Sequence, residues 1–315
     1  MNIDDSFEKY VPMIRSHFRE AITKHYGSDF FIADTLLNGK HIRPVLTLLI
    51  ADTYNGDIDK ALKLGCALEC CHQASLIVDD IIDDTQVRRG EPSLHMKLSK
   101  GKAFIAAVSL FTFATEMSSS YHTEQIRLAD TIHGMVRGVL DEVSDIEEIL
   151  MNNISNAYRH MVDLKTAELF ATAAYLGAVS CPNMPTKEVE AFESFGRYVG
   201  RMYQITDDIT DIEEDRMTNV MRLLMDLGVA MSDDISRIAK KVVAKEIPLK
   251  QGISQLEEVT GVQIISEMQR LRTCQAIKSL DSIAWIEKSN QIRGYGVYIS
   301  NMLLKQEGIP NDESQ

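Results

Sequence analysis

Two stretches of this chain collect aspartates at a spacing that could bind divalent metal ions. The first stretch, DDIIDD, carries Asp79, Asp80, Asp83 and Asp84. The second stretch, DDITD, carries Asp207, Asp208 and Asp211. On an α-helix, side chains four residues apart lie about 40° apart around the axis and about 6 Å apart along it. Each stretch is therefore predicted to place carboxylates on one face of a helix, with Asp80 and Asp84 repeating the spacing of Asp79 and Asp83.

Carboxylates at this spacing repel each other, so a patch of this kind is most stable with cations bound to it. Mg²⁺ prefers oxygen ligands in octahedral geometry and shares its coordination sphere with water and substrate phosphates. Neither stretch contains histidine or cysteine, which argues against zinc. A single acidic stretch is as often a solvated helix face. A second copy, with apolar residues before both, favours two helices that face each other around a magnesium site.

Basic residues add a possible site for phosphate groups. Two arginines follow the first aspartate stretch, namely Arg88 and Arg89. Far upstream, NGKHIRP places Lys40 and Arg43 at the entrance to a predicted helix, which is a good position for an anion. The segment DLKTAELF contributes Lys165 and Thr166. Any one of these residues alone is more often an ordinary surface charge, but together with two acidic patches they indicate binding of two polyphosphate groups.

Composition limits the class of protein. The chain has 315 residues, and its net charge of −13 argues against nucleic-acid binding, which normally uses a basic face. The five cysteines show no zinc spacing, and two of them are adjacent, which suits reduced thiols better than disulfides. The N-terminus MNIDDSFEKY is polar, unlike a secretory signal, and no apolar run reaches about 18 residues. We therefore expect a cytoplasmic protein without a membrane span.

The elements that must position these residues are predicted to be helices from end to end. Apolar residues recur three and four apart between prolines that mark helix boundaries, and there is no alternating strand pattern or GxGxxG turn. Residues 103–117, AFIAAVSLFTFATEM, are apolar nearly all round, which predicts a buried central helix. We expect one large all-α domain over residues 1–315, with a frayed tail at about 306–315.

The motifs GKHIRP, DDIIDDTQVRRG, KTAELF and GRYVGRMYQITDDITD resemble, in order and spacing, those of the trans-isoprenyl diphosphate synthases, the polyprenyl synthetase family. The resemblance covers about residues 36–215. It implies an isoprenoid synthase-type bundle in which two aspartate-rich helices face an apolar tunnel. It also implies head-to-tail condensation of isopentenyl diphosphate with an allylic diphosphate (dimethylallyl, geranyl or farnesyl), to give a linear all-trans prenyl diphosphate. A homodimer is implied as well.

The resemblance also assigns roles to residues. It implies Mg²⁺, with three ions when substrate is bound, held by all seven aspartates of the two stretches. Catalysis would use Asp79, Asp83, Asp207, Lys165 and Arg88, which stabilise the charge that develops on the leaving diphosphate. Isopentenyl diphosphate would be bound by Lys40, Arg43, His72 and Arg89. The developing cation would be flanked by Thr166, Tyr203 and Gln204.

The chain departs from the family pattern in two places. The family normally continues after the second aspartate motif with GKxxGxDxxxxK, whereas this chain has IEEDRMTNVMRLLMDLGVAMSDD, in which only Arg216 or Arg222 could replace the lysines. Relatives also tend to carry GD in the helix where this chain reads AVS at 107–109. These departures keep open a non-catalytic or partner-dependent subunit of a heteromeric prenyltransferase. A terpene cyclase is a weaker alternative, because the RRG and GKHIRP motifs serve a second diphosphate that a cyclase lacks.

Product length is the least determined property. A product that grows away from the aspartates would pass the small residues Ala74, Ser75 and Cys71, which lie one and two turns before Asp79. Relatives that stop at fifteen carbons commonly have bulky aromatic residues at the positions of Ala74 and Ser75. The sequence therefore favours an open tunnel and products of about twenty carbons or more. The alternative is that Phe111, Phe113 or Met117 closes the tunnel from the opposite side.

Overall fold

The computed structural model confirms the predicted all-α fold. It describes residues 3–27, 36–88, 90–143, 157–213, 220–229 and 232–306, so most of the tail predicted to fray lies outside the described residues. The only sheet in these ranges is an antiparallel pair of very short strands, β1 (Val87–Arg88) and β2 (Glu91–Pro92). Across the same ranges, no helix combines the length and the apolar character needed to cross a membrane.

The helices fall on either side of residues 144–156. Before them lie α1 (Ile3–Tyr26), α2 (Ile42–Thr53), α3 (Ile58–Ile82), α4 (Leu94–Lys97), α5 (Lys100–Ser118) and α6 (His122–Val143). After them lie α7 (Ala157–Val162), a π-helical segment (Asp163–Ala167), α8 (Glu168–Val179), α9 (Thr186–Glu213), α10 (Val220–Asp226), α11 (Asp233–Val243), α12 (Leu249–Thr260), α13 (Ile264–Ser282) and α14 (Asn290–Gln306). Since α7, the π-helical segment and α8 follow without a break, they form one continuous helical rod.

Two hydrophobic clusters hold the helices together. The larger cluster is built mainly from α1, α2, α3, α5, α8, the first part of α9 and α14. The smaller cluster is built from α7, the last part of α9, α10, α11, α12 and the start of α13. Because α9 contributes to both clusters, it is the element that relates one half of the structure to the other.

The prediction of a central helix at 103–117 is wrong, because α5 has one face open to solvent. Phe104, Ile105 and Val108 are 58%, 60% and 50% exposed, whereas the opposite face of α5 packs on α3. The most enclosed helices are α2, in which every residue from Ile42 to Ala51 is buried, and α8. An all-round apolar sequence is therefore not sufficient to place a helix at the centre, since a helix with an exposed apolar face has the same composition.

Two glycines bring the backbone of α9 into contact with α8 and with the end of the π-helical segment. A methyl group added at Gly196 would lie 2.2 Å from the carbonyl oxygen of Phe170. One added at Gly200 would lie 2.6 Å from the Cα atom of Ala167. Both obstacles are backbone atoms, which cannot rotate away as a side chain can. The spacing of four residues puts both glycines on the same face of α9, so the two helices lie closer than any larger residue would allow.

We predict that Gly196→Ala lowers the free energy of unfolding by about 2–3 kcal/mol, because the added methyl group must push α9 away from α8. The matched control is Gly294→Ala in α14, where an added methyl group meets no atom within 4 Å. That control should be neutral or more stable by up to about 1 kcal/mol, since alanine is the better helix former. Chemical denaturation of both variants measures the difference, and equal stabilities would contradict the close-contact explanation.

Candidate active site

The first aspartate cluster lies at the carboxyl end of α3. The helix begins at its N-cap Asp57, whose side chain accepts a hydrogen bond from the backbone N–H of Lys60 (3.0 Å). At the other end, Asp79 and Asp80 are buried in the last turn. Asp83 follows the last helical residue, donates its backbone N–H to the carbonyl oxygen of Asp79 (2.9 Å), and has an exposed side chain. The first cluster thus has two buried carboxylates in the helix and, just beyond its end, a carboxylate that is exposed to solvent.

A short hairpin returns Arg88 to this cluster. The turn between β1 and β2 contains Gly90, whose φ of +80° suits glycine. Nε of Arg88 donates to both carboxylate oxygens of Asp80, at 2.8 and 2.9 Å, and a terminal nitrogen lies 2.7 Å from Oδ1. Because Asp80 is only 4% exposed, this charge-assisted contact stabilises a carboxylate that has little access to water.

Asp84 departs from the predicted spacing. It adopts a left-handed conformation, with φ of 52°, beyond the end of α3. Its exposed carboxylate pairs with Lys100 at the start of α5 (2.8 Å), and this lysine holds the pKa of Asp84 below its usual range. The expectation that Asp80 and Asp84 share a helix face is therefore wrong, because the helix ends at Ile82 and the chain turns before Asp84.

The π-helical segment connects the first aspartate cluster to the second. Nζ of Lys165 lies 3.8 Å from Oδ2 of Asp79. The next residue, Thr166, donates its hydroxyl hydrogen to Oε1 of Gln204 on α9 (2.5 Å). A π-helical turn inside an α-helix contains an additional residue and occurs often at functional sites. Here it lets two adjacent side chains contact different aspartate-bearing helices.

A bidentate ion pair holds the π-helical segment against α9. Nε of Arg201 donates to one carboxylate oxygen of Asp163 at 2.5 Å, and Nη2 donates to the other at 2.8 Å. Both side chains are largely buried, being 20% and 23% exposed, so the pair is shielded from competing water. This contact lies one helical turn or less from Thr166 and Gln204, and it fixes the position of the segment along α9.

The second aspartate cluster lies near the end of α9, and its members have different surroundings. Asp208 is 2% exposed, and its carboxylate accepts hydrogen bonds from the phenol of Tyr158 (2.6 Å) and from Nε2 of Gln204 (3.1 Å). Asp207 and Asp211 are only half-buried. The two half-buried carboxylates are thus accessible from the solvent side, whereas Asp208 is enclosed by protein.

The donor atoms around the site suit magnesium, although the side chains alone do not form a closed cage. Within the described part of the chain, no three Asp, Glu, His or Cys side chains are grouped closely enough to hold one ion. Mg²⁺ commonly binds one or two carboxylates and completes its sphere with water and substrate phosphate oxygens. Asp83, Asp207 and Asp211, which retain solvent contact, could take an ion in that way.

The basic residues predicted to bind phosphate lie around the start of α2. Lys40 is exposed just before the helix, and Arg43 is buried in its first turn. The guanidinium of Arg43 lies 4.5 Å above the ring of Phe170, which also contacts the ring of Tyr203 at 5.5 Å between centroids. Arg43 and Tyr203 therefore share one aromatic neighbour. His72 is half-buried on α3.

A buried carboxylate, Glu69 on α3, lies among these basic residues. It accepts a hydrogen bond from Nε2 of Gln73 (2.8 Å), and its Oε1 lies 3.7 Å from Nδ1 of His41. Burial opposes the charge of Glu69, but the neighbouring His41, His72 and Arg43 outweigh burial and lower its pKa. Glu69 is thus a buried negative charge that His41, His72 and Arg43 stabilise.

Several predicted residues cannot be placed or remain predictions. Arg89 and Arg216 lie outside the described residues. Arg222 lies on α10 and is 9% exposed.

Of the residues expected to line the product tunnel, Cys71 and Ala74 are buried within the larger cluster and Ser75 is half-buried. Phe113 is 3% exposed and packs edge-on against Tyr26 at 5.6 Å.

Sequence analysis missed Tyr158, Asp163, Arg201 and Glu69. Tyr158 and Asp163 precede Lys165 by seven and two residues, but their partners lie on another helix, so local spacing does not reveal them. Glu69 could have been found, because an acidic residue three positions before His72 interrupts an apolar run.

Known proteins are similar to this chain over most of its length. The model of the polyprenyl synthetase family matches residues 31–228. A short chain isoprenyl diphosphate synthase from Methanothermobacter thermautotrophicus is 33% identical over 222 residues, which is 68% of this chain and 68% of that protein. Component 2 of the heptaprenyl diphosphate synthase from Geobacillus stearothermophilus is 28% identical over 302 residues, covering 91% of this chain and 93% of the relative.

A solved structure has the same fold. The polyprenyl synthase from Caulobacter crescentus CB15, crystallised with calcium and isoprenyl diphosphate, superposes with a TM-score of 0.76. The superposition covers 95% of this chain and 97% of that protein, at 22% sequence identity. At this identity the similarity establishes the fold, and the residues of the site must carry any further argument.

The surroundings of Glu69 predict a pH-dependent contribution to stability. Because its pKa is lower in the folded chain, the contribution is fully present above the unfolded value of about 4.3 and is lost as the pH falls below it. Glu69→Gln keeps the shape without this charge. The difference in urea midpoint between the wild type and Glu69→Gln should therefore shrink between about pH 6 and about pH 3. A constant difference across that range would contradict the assignment.

Proposed function

The chain belongs to the polyprenyl synthetase family and is a prenyltransferase, and we propose that it condenses isopentenyl diphosphate with an allylic diphosphate head to tail. The observation that carries the proposal is the π-helical segment, where Lys165 lies beside Asp79 and Thr166 bonds Gln204. One short segment thus joins the two aspartate clusters on which the chemistry would depend. The product would be a linear all-trans prenyl diphosphate.

The residues of the first cluster are suited to assist departure of the allylic diphosphate. As the allylic C–O bond breaks, negative charge grows on the leaving oxygens, and fixed positive charge nearby stabilises it. Lys165, which lies near Asp79, and Arg88, which pairs with Asp80, supply such charge at the first cluster. Mg²⁺, when bound, would add Lewis-acid stabilisation of the same oxygens. We propose that Asp79, Asp83 and Asp207 are its principal ligands, with three ions present beside substrate.

The second substrate would lie on the α2 side of the site. Lys40, Arg43, His72 and Arg89 are proposed to hold the diphosphate of isopentenyl diphosphate. Arg43 is anchored on Phe170, so its position is defined before any anion arrives. The double bond of isopentenyl diphosphate attacks the allylic carbon, a new C–C bond forms, and a proton leaves the resulting cation for the released diphosphate. Thr166, Tyr203 and Gln204 would flank the cation.

We also propose one domain over residues 1–315 and a homodimer. The role of α9 in both hydrophobic clusters supports a single domain. The exposed apolar face of α5, with Phe104, Ile105 and Val108, supports association with a second copy of the chain. A cytoplasmic location is supported by the cysteines, all of which are free thiols.

The first experiment asks whether the purified chain alone consumes an allylic diphosphate in the presence of isopentenyl diphosphate and Mg²⁺. We expect the chain to consume the allylic diphosphate, and we expect a chelator of Mg²⁺ to abolish this reaction. Asp83→Ala and Asp207→Ala should each lower kcat about 10²-fold or more while keeping the helical circular dichroism spectrum. Glu190→Ala, which removes an exposed carboxylate from the same helix as Asp207, serves as the control. Unchanged turnover in both aspartate variants would contradict the metal-assisted mechanism.

A partner-dependent subunit is the second candidate function. The Geobacillus relative is named as one component of a synthase, and the segment after the second aspartate motif lacks the family's lysines. The same assay separates the two candidates, because a subunit would consume the allylic substrate only after a second, related polypeptide is added. Sedimentation of the purified chain would show whether it associates with itself.

Product length is proposed to be set beside α3. Ala74 is fully buried on α3, and its small side chain would leave room for products of about twenty carbons or more. Ala74→Phe should shorten the product, since an aromatic ring fills the volume that the next isoprene unit needs. Ala74→Val, a smaller enlargement, should shorten it less. Identical products from the wild type and an active Ala74→Phe variant would place the limit elsewhere, for example at Phe113.

A further inference from the structure

Four side chains form a hydrogen-bonded relay between α7, α9 and the π-helical segment. The phenol of Tyr158 donates to Oδ2 of Asp208 at 2.6 Å. Oδ1 of Asp208 accepts from Nε2 of Gln204 at 3.1 Å. Oε1 of Gln204 accepts the hydroxyl hydrogen of Thr166 at 2.5 Å. The relay therefore runs from a buried phenol to the residues proposed to flank the reacting carbon.

Asp208 determines which group donates and which accepts in each hydrogen bond of the relay. An ionised carboxylate only accepts hydrogen bonds, so the amide of Gln204 must turn its nitrogen toward Asp208 and its oxygen toward Thr166. The hydroxyl of Thr166 must then donate to Gln204, which leaves its oxygen lone pairs available on the other side. Without a fixed acceptor at Asp208, the amide could rotate by half a turn and reverse these roles.

Burial makes the relay a fixed part of the structure. Tyr158 is 5% exposed and Asp208 is 2% exposed, so water has little access to either group. Asp226 on α10 accepts the backbone N–H groups of Tyr158 (3.3 Å) and Arg159 (2.9 Å), which anchors the start of α7.

We propose that Tyr158 is a positioning residue, which holds Asp208 and through it orients Gln204 and Thr166 toward the reacting allylic group. Asp208 then serves mainly as a hydrogen-bond acceptor inside the protein, and metal binding falls to the more accessible Asp207 and Asp211. This inference rests on the proposed prenyltransferase chemistry for its effect on rate, but the relay itself does not depend on activity.

The kinetic test compares two tyrosines that make the same kind of contact. Tyr158→Phe removes the donor to Asp208, and Tyr10→Phe removes a phenol that donates to Asp52 (2.7 Å), at the opposite end of α2 from Arg43. We expect Tyr158→Phe to lower kcat about 10-fold, with KM for isopentenyl diphosphate changed less than about twofold. Tyr10→Phe should leave kcat unchanged. A Tyr158→Phe enzyme with wild-type kcat would overturn the positioning role while the proposed function stands.

A spectroscopic test applies even if the wild type is inactive alone, which would count against the proposed function only. In protein labelled with ¹⁵N-glutamine, the side-chain amide signal of Gln204 is identified by its loss in Gln204→Glu. We expect slow hydrogen exchange at this amide in the wild type and in Tyr10→Phe, and fast exchange in Tyr158→Phe and Asp208→Asn. Equal protection of the Gln204 amide in all of these proteins would overturn the relay.

Discussion

The closeness of the α8 and α9 backbones is the constraint on which the site depends. Gly196 and Gly200 have no side chains of their own, so α9 meets the carbonyl oxygen of Phe170 in α8 and the Cα atom of Ala167 in the π-helical segment directly. Only at this separation can Thr166 reach Gln204 and Arg201 reach Asp163 with hydrogen-bond distances. The site thus depends on two glycines that lie one and two helical turns before Gln204 on α9.

The structure also explains how a helix can end in so many like charges. Three aspartates of the first cluster have a basic partner from elsewhere in the chain. Asp80 is held by Arg88, Asp79 lies near Lys165, and Asp84 turns away toward Lys100. The repulsion expected along the helix is therefore reduced by charges that reach the cluster from three different elements.

Sequence reasoning predicted the all-α fold correctly, because helical periodicity is a local property. Motif spacing suggested the candidate site residues, whose roles stay predictions. It failed where the outcome depended on distant residues. The end of α3 at Ile82 was missed because the partner of Asp84 begins another helix. The exposed face of α5 was missed because hydrophobicity does not say which apolar face finds a neighbour. Tyr158 was missed because its acceptor lies 50 residues away in sequence.

The π-helical segment has a consequence for how the chain can vary. An α-helix turns by about 100° per residue, so one residue more or less rotates everything beyond it by that angle. The segment Asp163–Ala167 contains such an additional residue between α7 and α8. Removing a single residue there would restore an ordinary helix, but it would turn Tyr158 away from Asp208 or Phe170 away from Gly196. Substitutions in this rod are therefore more tolerable than any change in its length.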